Sequence, residues 1–206
     1  MEIRPYQPGR DDADAAALWQ AALPTWPIAP AALQSLLAPH PARSVLVACV
    51  GARLAGMVVA QGAGEPQGSL SALVVAPDLQ RRGIGTALHA EALDQLRAQG
   101  VRRVQLGGGR GYQWPGVPYS LPVALSFFQV QGWRVADMSY DMVQHLGRYR
   151  TPAGVHERAQ ALGARVTFLA EPEAPELLAL VDREFPCWSA DYRRLVDMGA
   201  WSDLLI

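Results

Sequence analysis

The sequence predicts an α/β fold with a mixed sheet. Three observations carry that prediction. Over the first 145 residues, short β-branched runs alternate with helical stretches. Proline and glycine punctuate the joints between them. Near residue 164 the same order of elements begins again.

Taken in order, residues 2–6 read as a strand, and 11–23 as a helix with acidic residues in its first turn, where they favour the dipole. Three prolines in 24–30, around Trp26 and Ile28, stop that helix. Residues 31–37 form a second short helix. Residues 44–50 and 53–60 are strands joined by Gly51-Ala52, the pattern of a hairpin. A strand over 69–75 ends at Pro77. From 83 to 99, Ile84, Leu88, Ala92 and Leu96 recur every fourth residue, an amphipathic helix closed by Gly100. Residues 103–106 return as a strand, 107–120 form a long loop, and 122–131 a helix that begins with proline. Strands over 133–136 and 138–145 are expected to finish the sheet.

The restart gives a domain at 1–147, a linker with a helix at 148–163, and a partial second unit at 164–206. That unit has the order β-α-α-β: a strand over 166–170, helices over 175–185 and 191–198, and a strand over 202–206. Local texts agree with the first copy, Pro24-Thr25-Trp26 against Pro186-Cys187-Trp188 and Ser44-Val45-Leu46-Val47 against Ser202-Asp203-Leu204-Leu205. A period near 160 residues indicates duplication rather than a solenoid.

Composition removes several function classes. The 206 residues are half apolar and 18% charged, which favours a packed core over disorder. A net charge of −1 gives no basic footprint for nucleic acid or an anionic membrane. All 18 basic residues are arginine, so a P-loop lysine, a kinase strand lysine and a Schiff base are all excluded. The four histidines are scattered away from any second ligand, so no metal is expected. Cys49 and Cys187 read as thiols in a reducing compartment, and the start of the chain lacks a secretory h-region. No apolar run reaches the ~18 residues of a membrane span. The expected location is cytoplasmic.

Chemistry concentrates after the strand 69–75, where Gln80-Arg81-Arg82-Gly83-Ile84-Gly85-Thr86 opens the amphipathic helix. N–H groups at a helix N-terminus bind an anion without lysine, glycines let a phosphate approach the backbone, and Arg81 and Arg82 add fixed charge. This is no dinucleotide fingerprint, because Leu88 stands where its third glycine would be.

The stretch Leu73-Val74-Val75-Ala76-Pro77-Asp78-Leu79-Gln80-Arg81-Arg82-Gly83-Ile84-Gly85-Thr86-Ala87-Leu88 resembles the acetyl-CoA motif of the GCN5-related N-acetyltransferases (GNAT). Further on, Ala124-Leu125-Ser126-Phe127-Phe128-Gln129-Val130-Gln131-Gly132-Trp133 is similar to that family's helix-to-strand signature. The resemblance covers residues 1–145, and tandem members would account for the restart at 164. It implies the acyl-CoA N-acyltransferase fold, acetyl-CoA as cosubstrate and no metal. It implies transfer to a primary amine of a small molecule by direct attack in a ternary complex. Leu73, Val74 and Val75 would offer backbone groups to the pantetheine arm, Val74 and Val75 those that stabilise the oxyanion. Gln80, Arg81, Arg82, Gly83, Ile84, Gly85 and Thr86 would cradle the pyrophosphate, with Phe128 also at the cofactor.

Two departures stand out. Phe128 replaces the tyrosine that the family often uses to protonate the departing thiolate, and Leu121 falls where an asparagine is often seen. Tyr119 is the candidate substitute acid, with Tyr112 a second. The family's acceptor flanks correspond here to Trp26, Tyr112, Trp114 and Tyr119. That wall is aromatic and carries no carboxylate, which disfavours a polycation. Glu65 and Asp141 lie near the central strands, but no general base is identifiable. The competing reading is an acetyl-CoA-binding regulatory or interaction module with weakened catalysis. Residues 164–206 are expected to dock on their own domain or on a second copy, as a homodimer, and to add no second cofactor site.

Overall fold

A computed structural model describes the chain except residues 63–65, 109–113, 141–144, 202–203 and 205–206, and except the side chains of Leu146 and Cys187. It divides into two compact units, Met1–Met138 and Ser139–Ile206.

Unit 1 is organised on a five-stranded sheet in chain order, β1 (Glu2–Pro5), β2 (Arg43–Val50), β3 (Arg53–Gln61), β4 (Gln67–Val75) and β5 (Arg103–Leu106). The pairings are antiparallel up to β4, and β4 pairs β5 in parallel. A parallel pair needs a crossover, which α3 (Ile84–Ala98) supplies. Helices α1 (Asp12–Ala22) and α2 (Pro30–Leu37) cover the other face.

The two-residue period of the strands sorts the core into two layers. Val47, Met57, Val59 and Val74 meet Leu18, Trp19, Leu33 and Leu36 of α1 and α2. Leu46, Val58 and Leu70 meet Ile84, Leu88, Ala92 and Leu96, the period-four stripe of α3. β3 is covered on both faces, so Leu54 to Gln61 are all buried. Entry into α1 is set by Arg4, whose guanidinium donates to both carboxylate oxygens of Asp11 at 2.7 and 2.8 Å.

Helix α4 (Pro122–Val130) begins with proline as expected. The expected strand over 133–136 is coil, as are residues 138–140. Residues 141–144 of the other expected strand lie outside the described residues. Val135, Met138 and Tyr140 are exposed, so no apolar face is buried there to offset the entropy of ordering a strand.

Unit 2 holds α5 (Val155–Ala161), α6 (Ala174–Glu184) and α7 (Ser189–Asp197). Leu169, Ala174 and Leu204 form its small core with Leu177, Tyr192 and Trp201 packed against them. The strand expected over 166–170 is reduced to a single bridge residue, Phe168. Leu169 N–H donates to Leu204 C=O at 2.9 Å, and the rest of the strand expected at 202–206 lies outside the described residues. Both expected helices are present.

Candidate active site

The site starts where two strands part. β4 and β5 pair from Gln67↔Arg103 to Leu70↔Leu106 and no further. Gly107 N–H donates to Leu70 C=O at 2.8 Å, while β4 runs on to Val75 with β3 alone of the described strands beside it. A bulge in β4 accompanies the parting. Ala60 pairs Leu70 and Val59 pairs Ala72, so Ser71 is the extra residue.

The bulge reverses which backbone groups face outward. Ala76 N–H donates to Ala55 C=O at 2.9 Å. Counting back by two, Val74 opposite Met57 turns its N–H and C=O to β3, and Leu73 and Val75 turn theirs to the open edge. Gln80 Nε2 donates to Val75 C=O at 3.2 Å from that edge.

Ser71 also holds the departing chain. Its hydroxyl lies 2.9 Å from Gln61 Nε2, 3.2 Å from Ser69 Oγ and 3.0 Å from Gly108 C=O, all buried. Gly107 takes φ +75, and a Cβ there would stand 2.4 Å from Trp114 C=O, so only glycine allows the turn.

Beyond β4, one 3-10 turn (Pro77–Leu79) leads into a short exposed loop. Arg81 has φ 58, a left-handed conformation that costs a residue with Cβ about 1–2 kcal/mol. Gly83 takes φ +84 and begins α3. Ala87 N–H is the first to bond within the helix, to Gly83 C=O, leaving the N–H groups of Ile84, Gly85 and Thr86 without a helical acceptor. No side-chain cap and no acidic residue occupies this turn. Its partial positive charge faces outward beside Arg81 and Arg82. The exposed pair Arg53–Asp78, at 2.6 and 2.8 Å, ties the 3-10 turn to the start of β3, and Arg53 lowers the Asp78 carboxyl below its usual range.

Three elements converge at Gly85. A Cβ placed there would lie 3.6 Å from the Phe127 ring of α4 and 3.6 Å from Val75 Cγ2 of β4. Behind Phe127 stands an aromatic box of Phe128, His89 and Trp133, with centroids 5.1–6.3 Å apart. Trp133 Nε1–H donates to His89 Nε2 at 2.8 Å.

A second aromatic group closes the far side. Trp19 stacks on Trp114 at 5.5 Å, and Trp26 meets Trp114 edge-on at 5.7 Å. Trp19 Nε1–H donates to Trp26 C=O at 3.0 Å, and Trp26 Nε1–H to Ser120 Oγ at 3.3 Å. The segment after α1 and the segment before α4 therefore meet.

The model of the acetyltransferase (GNAT) family matches residues 14–111. Residues 14–111 of unit 1 carry a GNAT acetyltransferase domain. The chain is 27% identical to a solved GCN5-related glucosamine N-acetyltransferase region of a fungal multi-domain GH3 β-N-acetylglucosaminidase, with a TM-score of 0.86. That likeness covers 100% of this chain and 25% of the fungal one, so the chain spans about a quarter of that protein's length. The ribosomal-protein-S18-alanine N-acetyltransferase of Escherichia coli shares the fold at 21% identity and TM-score 0.55, over 66% of this chain and 79% of its own. A ribosomal-protein-alanine N-acetyltransferase of Brucella melitensis biovar Abortus shares it at 20% identity and TM-score 0.53, over 70% of this chain and 100% of its own. No curated protein matches the chain.

Of the expected cofactor residues, Val75 and Gly85 come together, with Phe127 rather than Phe128 at Gly85, Leu73 and Val75 turn their backbone groups outward, and Gln80 to Gly83 form the exposed loop before α3. Trp26 and Trp114 come together, whereas Tyr119 is 87% exposed. Tyr112, Arg110, Glu65 and Asp141 lie outside the described residues. Among the described residues no His, Cys, Asp and Glu cluster could hold a metal ion, and no helix is long and apolar enough to cross a membrane. Sequence reasoning passed over Trp19, His89 and Ser71. Trp19 follows Ala15 by four residues and reads as core. His89 had one legible signal, its place four residues after Gly85 beside the apolar stripe.

Proposed function

We propose that unit 1 is an acetyl-CoA-dependent N-acetyltransferase that acts on the primary amine of a small molecule by direct attack in a ternary complex, and that this molecule is an amino sugar. The observation that carries the reading is the parting of β4 from β5 beside an uncapped, acid-free helix start. When bound, acetyl-CoA supplies an activated acetyl thioester. The residues fit it. The free N–H groups of Ile84, Gly85 and Thr86, with Gln80, Arg81, Arg82 and Gly83, suit a pyrophosphate. The open-edge N–H and C=O groups of Leu73 and Val75 suit the amide-bearing pantetheine arm and an acyl oxygen. Val74, expected at the oxyanion with Val75, turns its N–H and C=O to Met57 of β3, which leaves that role to Val75. Phe127 and Phe128 exclude water from the cleft.

Trp26 and Trp114, with Tyr119 exposed in the same loop as Trp114, form the acceptor side. Proximity between a held amine and a held thioester supplies several kcal/mol of barrier lowering. An aromatic wall without carboxylates suits the apolar face of a sugar ring better than a polyamine. The likeness to a region described as a glucosamine N-acetyltransferase supports the same choice. Residues 164–206 are read as a partial second copy without a cofactor motif, docking on its own domain or on a second copy. The location is read as cytoplasmic.

One observation favours a second reading. Phe128 has no proton to give a leaving thiolate, which suits a module that binds acetyl-CoA without turnover. Thiol release from acetyl-CoA, followed with glucosamine, spermidine and a peptide with N-terminal alanine, separates the two. Fastest turnover with glucosamine is expected. Binding of CoA with no transfer to any amine would favour the module.

A further inference from the structure

The helix α4 forms one wall of the cleft, yet none of its residues is buried. With residues 131–132 in a turn and 133–136 in coil, no further strand among the described residues braces it there. Its attachment rests on the aromatic box. Trp133 N–H donates to Phe128 C=O at 3.0 Å, which fixes Trp133 to the end of α4. The Trp133 indole then reaches across to His89 Nε2 on α3, one turn beyond Gly85. We propose that His89 and Trp133 form a latch that positions α4, and so Phe127, against the phosphate turn of α3.

This rests on the reading of the cleft as the acetyl-CoA site. His89 is a positioning residue, since it touches α4 and Trp133 rather than the open edge. An indole N–H can only donate, so Nε2 must be unprotonated for the bond to exist. An imidazolium would break it. Burial first, and Arg97 second, push the His89 pKa below its ordinary value, so the accepting form prevails at neutral pH. Among the described residues the charge that acts on His89 is Arg97 of α3, itself paired with Asp94 at 2.5 Å. α4 carries no titratable residue, the sheet side chains described against α3 are apolar apart from Ser44, which bonds to Gln95, and Arg134 beyond Trp133 is exposed.

Calorimetric binding of CoA to the full chain at pH ~8 and pH ~4.5, the second well below the ordinary histidine value because burial lowers that of His89, tests the latch. Trp133→Phe keeps a ring and deletes the donor, and His89→Gln keeps an acceptor that does not titrate. Because CoA's own ionisation affects all three proteins alike, the comparison between them is decisive. At pH ~8, Trp133→Phe is expected to bind about five- to tenfold more weakly than the parent, the worth of one hydrogen bond. Between the two pH values the parent should lose affinity, by up to that same factor, beyond any loss in Trp133→Phe, and His89→Gln should keep its affinity. Equal pH dependence in parent and Trp133→Phe would overturn the latch.

Thermal unfolding keeps this separate from the cofactor reading. The gap in midpoint between parent and Trp133→Phe should close on acidification whether or not CoA binds. A parent that shows this closing gap but binds no CoA retains the latch and loses the cofactor site. A gap that stays constant with pH would overturn the latch by itself.

Discussion

The hydroxyl of Ser71 donates to the carbonyl of Gly108 at 3.0 Å, joining the extra residue of the β4 bulge to the first turn after β5. Strand parting and loop exit are thus set by one buried contact. Gln61 Nε2 reaches the same hydroxyl at 2.9 Å, so the bulge, β3 and the outgoing loop share a single polar network. Replacing Ser71 by Ala leaves the buried Gly108 carbonyl without this donor. The expected loss is about 1–2 kcal/mol of stability, read by chemical denaturation, together with a lower kcat/KM for the amine. An unchanged midpoint would mean that water replaces the hydroxyl.

Trp114 is half-buried between Trp19 and Trp26. Trp114→Ala removes both ring contacts and should raise the KM for the amine about tenfold, equivalent to about 1.4 kcal/mol, with CoA affinity almost unchanged. A matching fall in CoA affinity would place Trp114 on the cofactor side instead.

Much of this architecture was legible in the sequence because it rests on local patterns. Ile84, Leu88, Ala92 and Leu96 recur at helical spacing, and all four lie in the core. The hairpin at Gly51-Ala52 and the strand over 103–106 stand where their turn residues and β-branched runs put them. The misses were non-local. The bulge at Ser71 depends on what β3 and Gly108 offer from 10 and 37 residues away. The expected strand at 133–136 had a strand-like text, but its formation depends on a neighbouring ladder and a covered face. The aromatic pair Phe127-Phe128 was visible as a motif, whereas only packing shows that Phe127 meets Gly85 and that both rings border His89.

Phe128→Tyr tests whether the absent hydroxyl limits turnover. A thiolate of pKa near 8.5 leaves with little acid help, so a rise of about two- to fivefold in kcat is expected, greatest with poorer leaving thiols. An unchanged or lower rate would show that another group supplies the proton or that thiolate departure is not limiting.

Asp11 accepts two bonds from Arg4 and a third from Gln7 N–H at 2.8 Å while almost fully buried. The Arg4 guanidinium holds its carboxyl below the usual aspartate range, against the opposing effect of burial. A depressed folded pKa stabilises the fold above the unfolded value near 4 and loses that contribution as pH falls through the folded value. Asp11→Asn should therefore cost about 2 kcal/mol at neutral pH, with the gap to the parent closing below pH ~4. A gap independent of pH would assign the loss to packing.

The central claim is that acetyl-CoA lies along the open edge of β4 with its pyrophosphate on the first turn of α3. Gly85→Val addresses it directly, because the added methyls enter the space bounded by Phe127 and Val75 while the fold has room for a Cβ at 3.6 Å. Calorimetry of the full chain with CoA should give one site per chain for the parent. The variant should keep the parent's circular dichroism and bind at least about tenfold more weakly, a loss of about 1.4 kcal/mol or more. Two sites per chain, or a folded Gly85→Val that binds CoA as tightly as the parent, would contradict the account.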